Sequence, residues 1–307
     1  MTFKQIFLPA GIVFSILVSL AWPEPGSCLK DLGLMTALVV SIFIINGYSV
    51  RLSELEFNRR FVLVLVLVLL LNLAVAPTLA VLFARLLHLP PELATGLAVM
   101  SSVPCTLSSA VVLTQVAGGN VLLALLLTVG LNLGGIVSIP FALQAALRVG
   151  GAGAVSPLQL LAKLALLVLL PLACGKLLNF LLRNRTPPFD LNYLATACVI
   201  GAVWLSLSKS SGVLLAFSAS SFFLVLAGAL LVHLSLLGLA AGVGQALKLP
   251  RGDRIAILFT ASQKTLLVAL SVFAALELSA GAGIMVCLIF HFQQLLLNSI
   301  IAARLAR

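Results

Sequence analysis

Long runs without a charged residue alternate with short charged segments along the whole chain. A helix needs about 20 apolar residues to cross the hydrocarbon layer of a membrane, and most of these runs reach that length. The longest charge-free runs are residues 5–23, 32–50, 61–84, 93–147, 191–208, 210–247 and 278–303. The pattern predicts a chain built almost entirely of membrane-spanning helices.

Three segments complete the count of spans. Residues 93–147 are too long for one helix, and the turn signal Gly118-Gly119-Asn120 divides them into two. Residues 157–180 form one span, because Lys163 and Lys176 lie near its ends, where long side chains reach the membrane interface. Lys264 interrupts a further span over residues 255–276. We therefore predict an all-α polytopic membrane protein with ten transmembrane helices.

Composition excludes the other broad classes of protein. Of the 307 residues, 62% are apolar and 8% are charged, against roughly a quarter charged in an average soluble domain. A soluble core of this size could not bury so much apolar surface, which excludes a soluble enzyme, a disordered chain and a peripheral protein. No clear cleavage site follows the first apolar run, so we expect it to be retained as a span.

The net charge is +10, but the basic residues lie in short loops between the apolar runs. We therefore expect them to set the orientation in the membrane, and we expect no nucleic-acid partner. With the N-terminus in the cytoplasm, the outer loops contain Lys30, Arg85, Arg148 and Lys209. The cytoplasmic segments contain Lys4, Arg51, Arg59, Arg60, Lys176, Arg183, Arg185, Lys248, Arg251, Arg254, Arg304 and Arg307. By the positive-inside rule both termini are cytoplasmic. Short loops of this kind are typical of a bacterial inner membrane.

The ten spans divide into two halves of five, residues 1–150 and 151–307, that must have opposite orientations in the bilayer. The fourth span of each half is the polar one: Met100–Ala110 in the first half and Phe259–Leu267 in the second. Interrupted hydrophobic segments in corresponding positions of two inverted repeats indicate a binding site near the middle of the membrane. Coincidence is the alternative, since membrane helices tolerate Pro and Ser.

Lys264 lies near the centre of its span, where a charged lysine costs about 2.5–3.5 kcal/mol on insertion scales. Four interpretations remain open at this point. The ammonium binds an anionic substrate, carries a proton, occupies a former cation site as a structural tether, or is a buried lysine bonded to carbonyls at a helix break.

Neutral oxygen donors accompany Lys264 at a similar depth. They lie on spans four, five and nine: Thr106, Ser108, Ser109, Thr128, Asn132, Gln263 and Thr265. On span ten, His291, Gln294 and Asn298 form a polar stripe that must face protein or a water-filled crevice. His233, a single histidine among leucines, fits a hydrogen-bonded core residue better than a ligand, and Asn72 is a weak candidate.

Signatures of catalysis are missing from the sequence. The membrane spans contain no Asp or Glu, and the chain has no HExxH, GxSxG or phosphate-binding loop. The five cysteines have neither metal-ligand spacing nor a disulfide pattern. We therefore expect no enzyme, no cofactor and no metal centre, and any transport must be secondary, facilitated or dependent on a partner.

The segments Val103–Thr114, Gly118–Asn120, Ser262–Thr265 and Phe290–His291 resemble the bile acid:sodium symporter superfamily, in particular its sodium/bile-acid-symporter-like branch. The resemblance implies a panel domain of spans 1, 2, 6 and 7 and a core domain of spans 3, 4, 5, 8, 9 and 10. It also implies that spans 4 and 9 are broken and cross at the midplane, and that the two domains move in alternating access. Ser108, Ser109, Thr128 and Gln263 match oxygen donors of the sodium sites, and His291 matches a histidine close to substrate.

One departure from the family matters most: the glutamate that the sodium-coupled relatives share between both sodium sites is Phe259 here. A fixed ammonium at Lys264 would repel sodium by several kcal/mol. We therefore predict a secondary transporter of a small organic anion in which Lys264 replaces the cation, with transport that is sodium-independent or coupled to protons. The alternatives are a sodium-coupled organic-anion symporter, a non-transporting membrane regulator of ion homeostasis, and a channel.

The predicted site follows from this hypothesis. We assign Lys264, His291, Gln294, Thr106 and Asn132 to substrate binding. Ser108, Ser109, Thr128, Gln263 and Thr265 are assigned to the positions equivalent to the cation sites.

Overall fold

The computed structural model of the chain describes residues 3–49, 59–106, 109–149, 157–182, 191–209, 211–215, 217–276 and 281–306. Every regular element in these ranges is a helix. In chain order they are α1 (Phe3–Ala21), α2 (Pro23–Asp31), α3 (Leu34–Ser49), α4 (Arg59–Leu70), the π-helical turn π1 (Leu71–Val75), α5 (Ala76–Leu86), α6 (Pro91–Ser102), α7 (Ser109–Val116), α8 (Val121–Val149), α9 (Pro157–Leu164), the π-helical turn π2 (Ala165–Leu169), α10 (Leu170–Leu181), α11 (Leu191–Ser208), α12 (Ser211–Leu215), α13 (Ala219–Ala246), α14 (Arg251–Ser262), α15 (Leu266–Leu276) and α16 (Gly281–Leu305).

Within the described residues, six helical segments are long and apolar enough to cross a membrane. They are Arg59–Leu86, Val121–Ala145, Leu161–Leu181, Ala219–Ala246, Arg251–Phe273 and Gly281–Leu305, and the bent pair α1 and α2 adds a seventh candidate. The chain is therefore an all-helical polytopic membrane protein. The other three predicted spans fall on the shorter apolar helices α3 and α11 and on the interrupted pair α6 and α7.

At two places the helices differ from the charge-free runs of the sequence. Residues 24–31 were expected in a loop but form α2, which leaves α1 at an angle of 100°. Pro23 stands at the first position of α2, where its missing N–H is tolerated. The charge-free run 210–247 contains the short helix α12, and the long helix α13 begins only at Ala219. The Ser218 hydroxyl accepts a hydrogen bond from Ser221 N at 3.1 Å and caps the start of α13.

The π-helical turns were not predicted, and each has a proline close behind it. Pro77 follows π1 and Pro171 follows π2, both at the second position of the next α-helix. Proline cannot donate a backbone hydrogen bond, and its ring crowds the carbonyl of the preceding turn. A wider turn relieves that crowding and leaves a carbonyl without its helical partner.

One backbone path occurs twice, 160 residues apart. Leu87-His88-Leu89-Pro90 and Leu247-Lys248-Leu249-Pro250 both place their second residue at positive φ, 50° and 49°. Each is followed by a 12-residue helix, α6 or α14. These helices end at Val103 (φ −79°, ψ 154°) and Gln263 (φ −78°, ψ 152°), so both give way to extended backbone at the same point.

The chain divides into two compact units. The first contains the described residues of 1–54, 159–217 and 270–284, and the second contains those of 55–158, 218–269 and 285–307. In the second unit, an apolar core joins α4, α8, α14 and α16, with Val68, Leu131, Phe259 and Ala302 among its buried members. All the candidate site residues that the structure describes lie in this second unit.

Candidate functional site

The interruption between α6 and α7 meets the interruption between α14 and α15. Residues 103–106 on one side and 263–265 on the other are not helical. Thr265 N donates to Pro104 O at 2.9 Å, which joins the two extended segments directly. Unwound backbone at membrane depth needs partners inside the protein, and here each interruption supplies partners for the other.

Lys264 is completely buried at this meeting point. Its ammonium donates to Asn72 Oδ1 at 3.0 Å, to Val103 O at 3.1 Å and to Asn72 O. The three protons of the ammonium therefore have three neutral oxygen acceptors. No carboxylate of the described residues pairs with it, so the charge is held by dipoles alone.

The Asn72 carbonyl is available to Lys264 because of its position in π1. The N–H of Ala76 bonds to Leu71 O. The next donor in the π-helical pattern would come from Pro77, which has none. A backbone carbonyl in the middle of a helix is thereby freed to accept from a side chain of another helix.

Side chains of three helices hold the interruption after α14. The Asn72 amide nitrogen lies 3.2, 3.0 and 3.0 Å from the carbonyls of Thr260, Ala261 and Gln263. His233 Nδ1 lies 3.2 Å from Ser262 O, which can only accept, so Nδ1 carries a proton. Gln294 accepts from Lys264 N at 2.9 Å and donates to Lys264 O at 2.7 Å. The last carbonyls of α14, which have no helical partner, are thus satisfied.

Gln263 forms an oxygen cluster with two hydroxyl groups. Its Oε1 lies 2.8 Å from both Thr106 Oγ1 and Ser109 Oγ, and the two hydroxyl oxygens also lie next to each other. The two hydroxyl protons therefore serve two of these three contacts at a time. Gln263 Nε2 is buried and has no partner among the described residues. Thr106 and Ser109 are half-buried, so this cluster borders the more open side of the site.

The remaining predicted site residues are only partly brought together. Asn132 donates to Cys105 O at 3.0 Å and to Thr128 O at 2.8 Å, which ties α8 to the interruption after α6. The Thr128 hydroxyl donates to Leu125 O in its own helix at 2.8 Å. Ser108 lies outside the described residues.

His291 touches the site through Gln294. Its Nδ1 lies 3.1 Å from Gln294 Nε2. The bonds of Gln294 to Lys264 fix its amide orientation, so Nε2 donates and the imidazole Nδ1 accepts. The neutral ring then carries its proton on Nε2.

Phe259 is the residue that we expected at the position of the glutamate in the sodium-coupled relatives. It is completely buried in the apolar core of the second unit, together with Cys105, Leu127 and Leu131. Among the described residues, no three His, Cys, Asp or Glu side chains lie close enough to hold a metal ion. The site therefore combines one buried cation with uncharged donors and acceptors.

The sequence interpretation missed the central part played by Asn72. Its amide and its carbonyl together make five bonds to α14 and to the segment that follows. A signal existed, since Asn72 is a polar residue five positions before a proline in an otherwise apolar run. His233 is hydrogen-bonded in the core, as its isolated position among leucines indicated.

Comparison with known proteins agrees with this architecture. Residues 5–307 match the SBF-like CPA transporter family. The chain is 33% identical over 96% of its length to "Probable sodium/metabolite cotransporter BASS4, chloroplastic" of Arabidopsis thaliana, of which it covers 71%. It is 28% identical over 97% of its length to "Sodium/bile acid cotransporter 7-B" of Xenopus laevis, of which it covers 90%. These matches confirm the resemblance to the bile acid:sodium symporter superfamily, and the chain belongs to the SBF-like CPA transporter family.

Proposed function

We propose that this protein is a secondary transporter of a small organic anion, in which the Lys264 ammonium takes the place of a coupling cation. The observation that carries the proposal is the enclosure of Lys264 Nζ by three uncharged oxygens where the two interrupted helices meet. Backbone and amide carbonyls are the ligands that hold dehydrated monovalent cations in membrane proteins.

Electrostatics supports sodium-independent transport. Two like charges 4 Å apart repel by about 4 kcal/mol at an effective dielectric constant of 20. A sodium ion next to Lys264 would need a carboxylate to offset that repulsion, and the corresponding position is the buried Phe259. The pocket is thus positively charged whenever Lys264 is protonated.

That charge favours an anionic substrate. Because the ammonium already has three protein acceptors, it attracts the anion through its field. Direct contacts would come from His291 and from the half-buried Thr106 and Ser109, whose hydroxyl protons would turn from Gln263 Oε1 toward the anion. A carboxylate or sulfonate accepts from such donors. Both amide protons of Asn132 are already donated to Cys105 O and Thr128 O, so Asn132 would position the site without contacting the anion.

The architecture supports two inverted five-helix repeats and alternating access by movement of a panel domain against a core domain. The repeated path through α6 and α14 is the relation expected of such repeats. The first compact unit contains predicted spans 1, 2, 6 and 7, and the second contains predicted spans 3, 4, 5 and 8 with the Lys264 site. We propose that these units are the panel and core domains.

A sodium-coupled symporter is the second candidate function. It is favoured by the names of the similar plant and frog proteins. The oxygen cluster of Thr106, Ser109 and Gln263 supports it as well, because hydroxyl and amide oxygens are typical ligands of hard cations.

Counterflow in proteoliposomes tests the proposal. A thermal-shift screen of small carboxylates and sulfonates first selects an anion that stabilises the purified chain. Liposomes preloaded with that anion should then take up the labelled anion saturably, equally in sodium chloride and choline chloride. Acceleration by a sodium gradient would favour the symporter instead. Non-saturable flux would indicate a channel, and a stabilising anion without flux would indicate a regulator.

A further inference from the structure

Six exposed basic residues lie at one end of the second unit, away from the Lys264 site. They come from four segments: Arg59 and Arg60 begin α4, Lys248 lies in the turn before α14, Arg251 and Arg254 begin α14, and Arg304 ends α16. We call this set the basic cluster.

Hydrogen bonds between elements bring the cluster together. Arg60 Nη2 donates to Lys248 O at 3.3 Å, which joins α4 to the turn before α14. Arg251 Nη2 donates to Leu305 O, which joins α14 to the end of α16. The aliphatic part of Arg254 packs on α13, where a Cβ on Gly244 would lie 2.9 Å from Arg254 Cγ. Three helix ends therefore present their cations to the same region.

Among the described residues, acidic side chains do not neutralise the cluster. Asp253 is the one carboxylate in the described part of these four segments, and its Oδ1 accepts from Asn120 Nδ2 at 2.8 Å. No side chain caps the start of α14. By contrast α6, which follows the same backbone path, begins with Pro91-Glu92-Leu93-Ala94 and has no cation in its first turn.

Exposed apolar side chains continue from the cluster along α4 and α16. Leu63 and Val66 on α4 and Leu296 and Ile300 on α16 are exposed. Val64 and Val68 of α4 and Ala302 of α16 belong to the same buried apolar core. A molecule that binds here therefore meets positive charge at one end and an apolar surface beyond it.

We infer that the basic cluster binds the phosphate headgroup of an anionic phospholipid, whose acyl chains lie along α4 and α16. The positive-inside rule explains why basic residues are frequent on one side of a membrane protein. It does not explain their convergence from three helices with unused guanidinium donors. Arginine binds phosphate through two parallel N–H donors, and each cation near an anionic membrane surface strengthens binding several-fold.

The test measures thermal unfolding of the full chain in detergent micelles that contain phosphatidylglycerol or phosphatidylcholine, with inorganic phosphate in a third arm. Phosphatidylglycerol should raise the unfolding midpoint, and the other two additives should not. Equal effects of the two lipids, or an equal effect of inorganic phosphate, would overturn the inference.

Charge-neutralising variants locate the site. Arg59→Gln combined with Arg304→Gln removes two cations that make none of the bonds between elements. The double variant should lower the apparent affinity for phosphatidylglycerol, measured from the dependence of the unfolding midpoint on lipid concentration, by about 30-fold. Arg85→Gln is the matched control, because this exposed arginine lies on the same segment about 39 Å away along its axis. A normal response in the double variant, or an equal loss in Arg85→Gln, would contradict the assignment. Native mass spectrometry of bound lipid provides the same comparison if a variant's unfolding is not cooperative.

Discussion

At the scale of single residues, the unusual feature is a buried ammonium that is held without an anion. A buried charge is costly unless it is paired or fully hydrogen-bonded, and Lys264 has only the second form of compensation. Asn72 supplies two of the three acceptors and also donates to the carbonyls at the end of α14. The two side chains therefore stabilise the interruption together, because Lys264 donates to Asn72 and Asn72 donates to the carbonyls that precede Lys264.

Two substitutions of Lys264 distinguish the contribution of its hydrogen bonds from that of its side-chain volume. Lys264→Ala and Lys264→Met both leave three buried acceptors without a donor, and each should lower the free energy of unfolding by about 2–4 kcal/mol. Added methylammonium should recover part of the loss in Lys264→Ala, where space is free, but not in Lys264→Met. Differential scanning fluorimetry measures both effects. Wild-type stability of Lys264→Met would mean that the amine contributes packing alone.

Asn72→Leu should destabilise the chain to a similar extent, by about 2–4 kcal/mol, because it removes the donors to three carbonyls and one acceptor of Lys264. Thr78→Ala is the control on the same helical segment. The Thr78 hydroxyl is exposed and bonds only to Ala74 O of its own helix, so that change should stay within about 0.5 kcal/mol. Chemical unfolding in detergent compares the two. Equal effects would show that Asn72 has no special part.

At the scale of helices, charged and polar residues predict where the spans and their interruptions lie in the sequence, while proline determines where a helix widens into a π-helical turn. The charged loops predicted the spans Arg59–Leu86 and Gly281–Leu305 closely, and the polar residues around Pro104 and Gln263 marked the segments that are interrupted. The turns π1 and π2 escaped prediction because membrane helices tolerate proline in several ways. The partners of Lys264 could not be predicted either, since Asn72 lies 192 residues away and sequence indicates depth but not contacts.

Close helix packing in the first unit depends on two glycines. A Cβ on Gly47 would lie 2.0 Å from Leu172 O, and one on Gly175 would lie 2.0 Å from Ile44 O, so α3 and α10 approach backbone to backbone. Gly47→Ala should force them apart and cost about 1–3 kcal/mol. Gly238→Ala on α13 meets no atom within 4 Å and should be neutral or slightly stabilising. Thermal unfolding of both variants checks this, and an unchanged midpoint for Gly47→Ala would refute the close packing.

At the scale of the whole molecule, the uneven distribution of basic residues predicts a single orientation. The basic cluster and both chain ends should face the cytoplasm, and Lys30 and Lys209 should face outward. The ion pair of Lys209 with Asp31, 2.6 Å between Nζ and Oδ2, lies in the first unit.

Cysteine labelling tests the orientation. In intact cells, a membrane-impermeant maleimide should label a variant that retains only the exposed Cys28. A variant with Arg304→Cys as its single cysteine should react only after the membrane is permeabilised. The reverse pattern would invert the predicted topology.

Sodium binding to the purified chain tests the central claim most directly, because it requires no knowledge of the substrate. The unfolding midpoint is measured in sodium chloride against choline chloride at constant ionic strength, for the wild type and for Lys264→Ala. An ion that binds only the folded chain raises the midpoint. We predict no sodium-specific shift for the wild type and a gained sodium response for Lys264→Ala. A sodium-specific shift in the wild type that persists unchanged in the variant would contradict the replacement of the cation by Lys264.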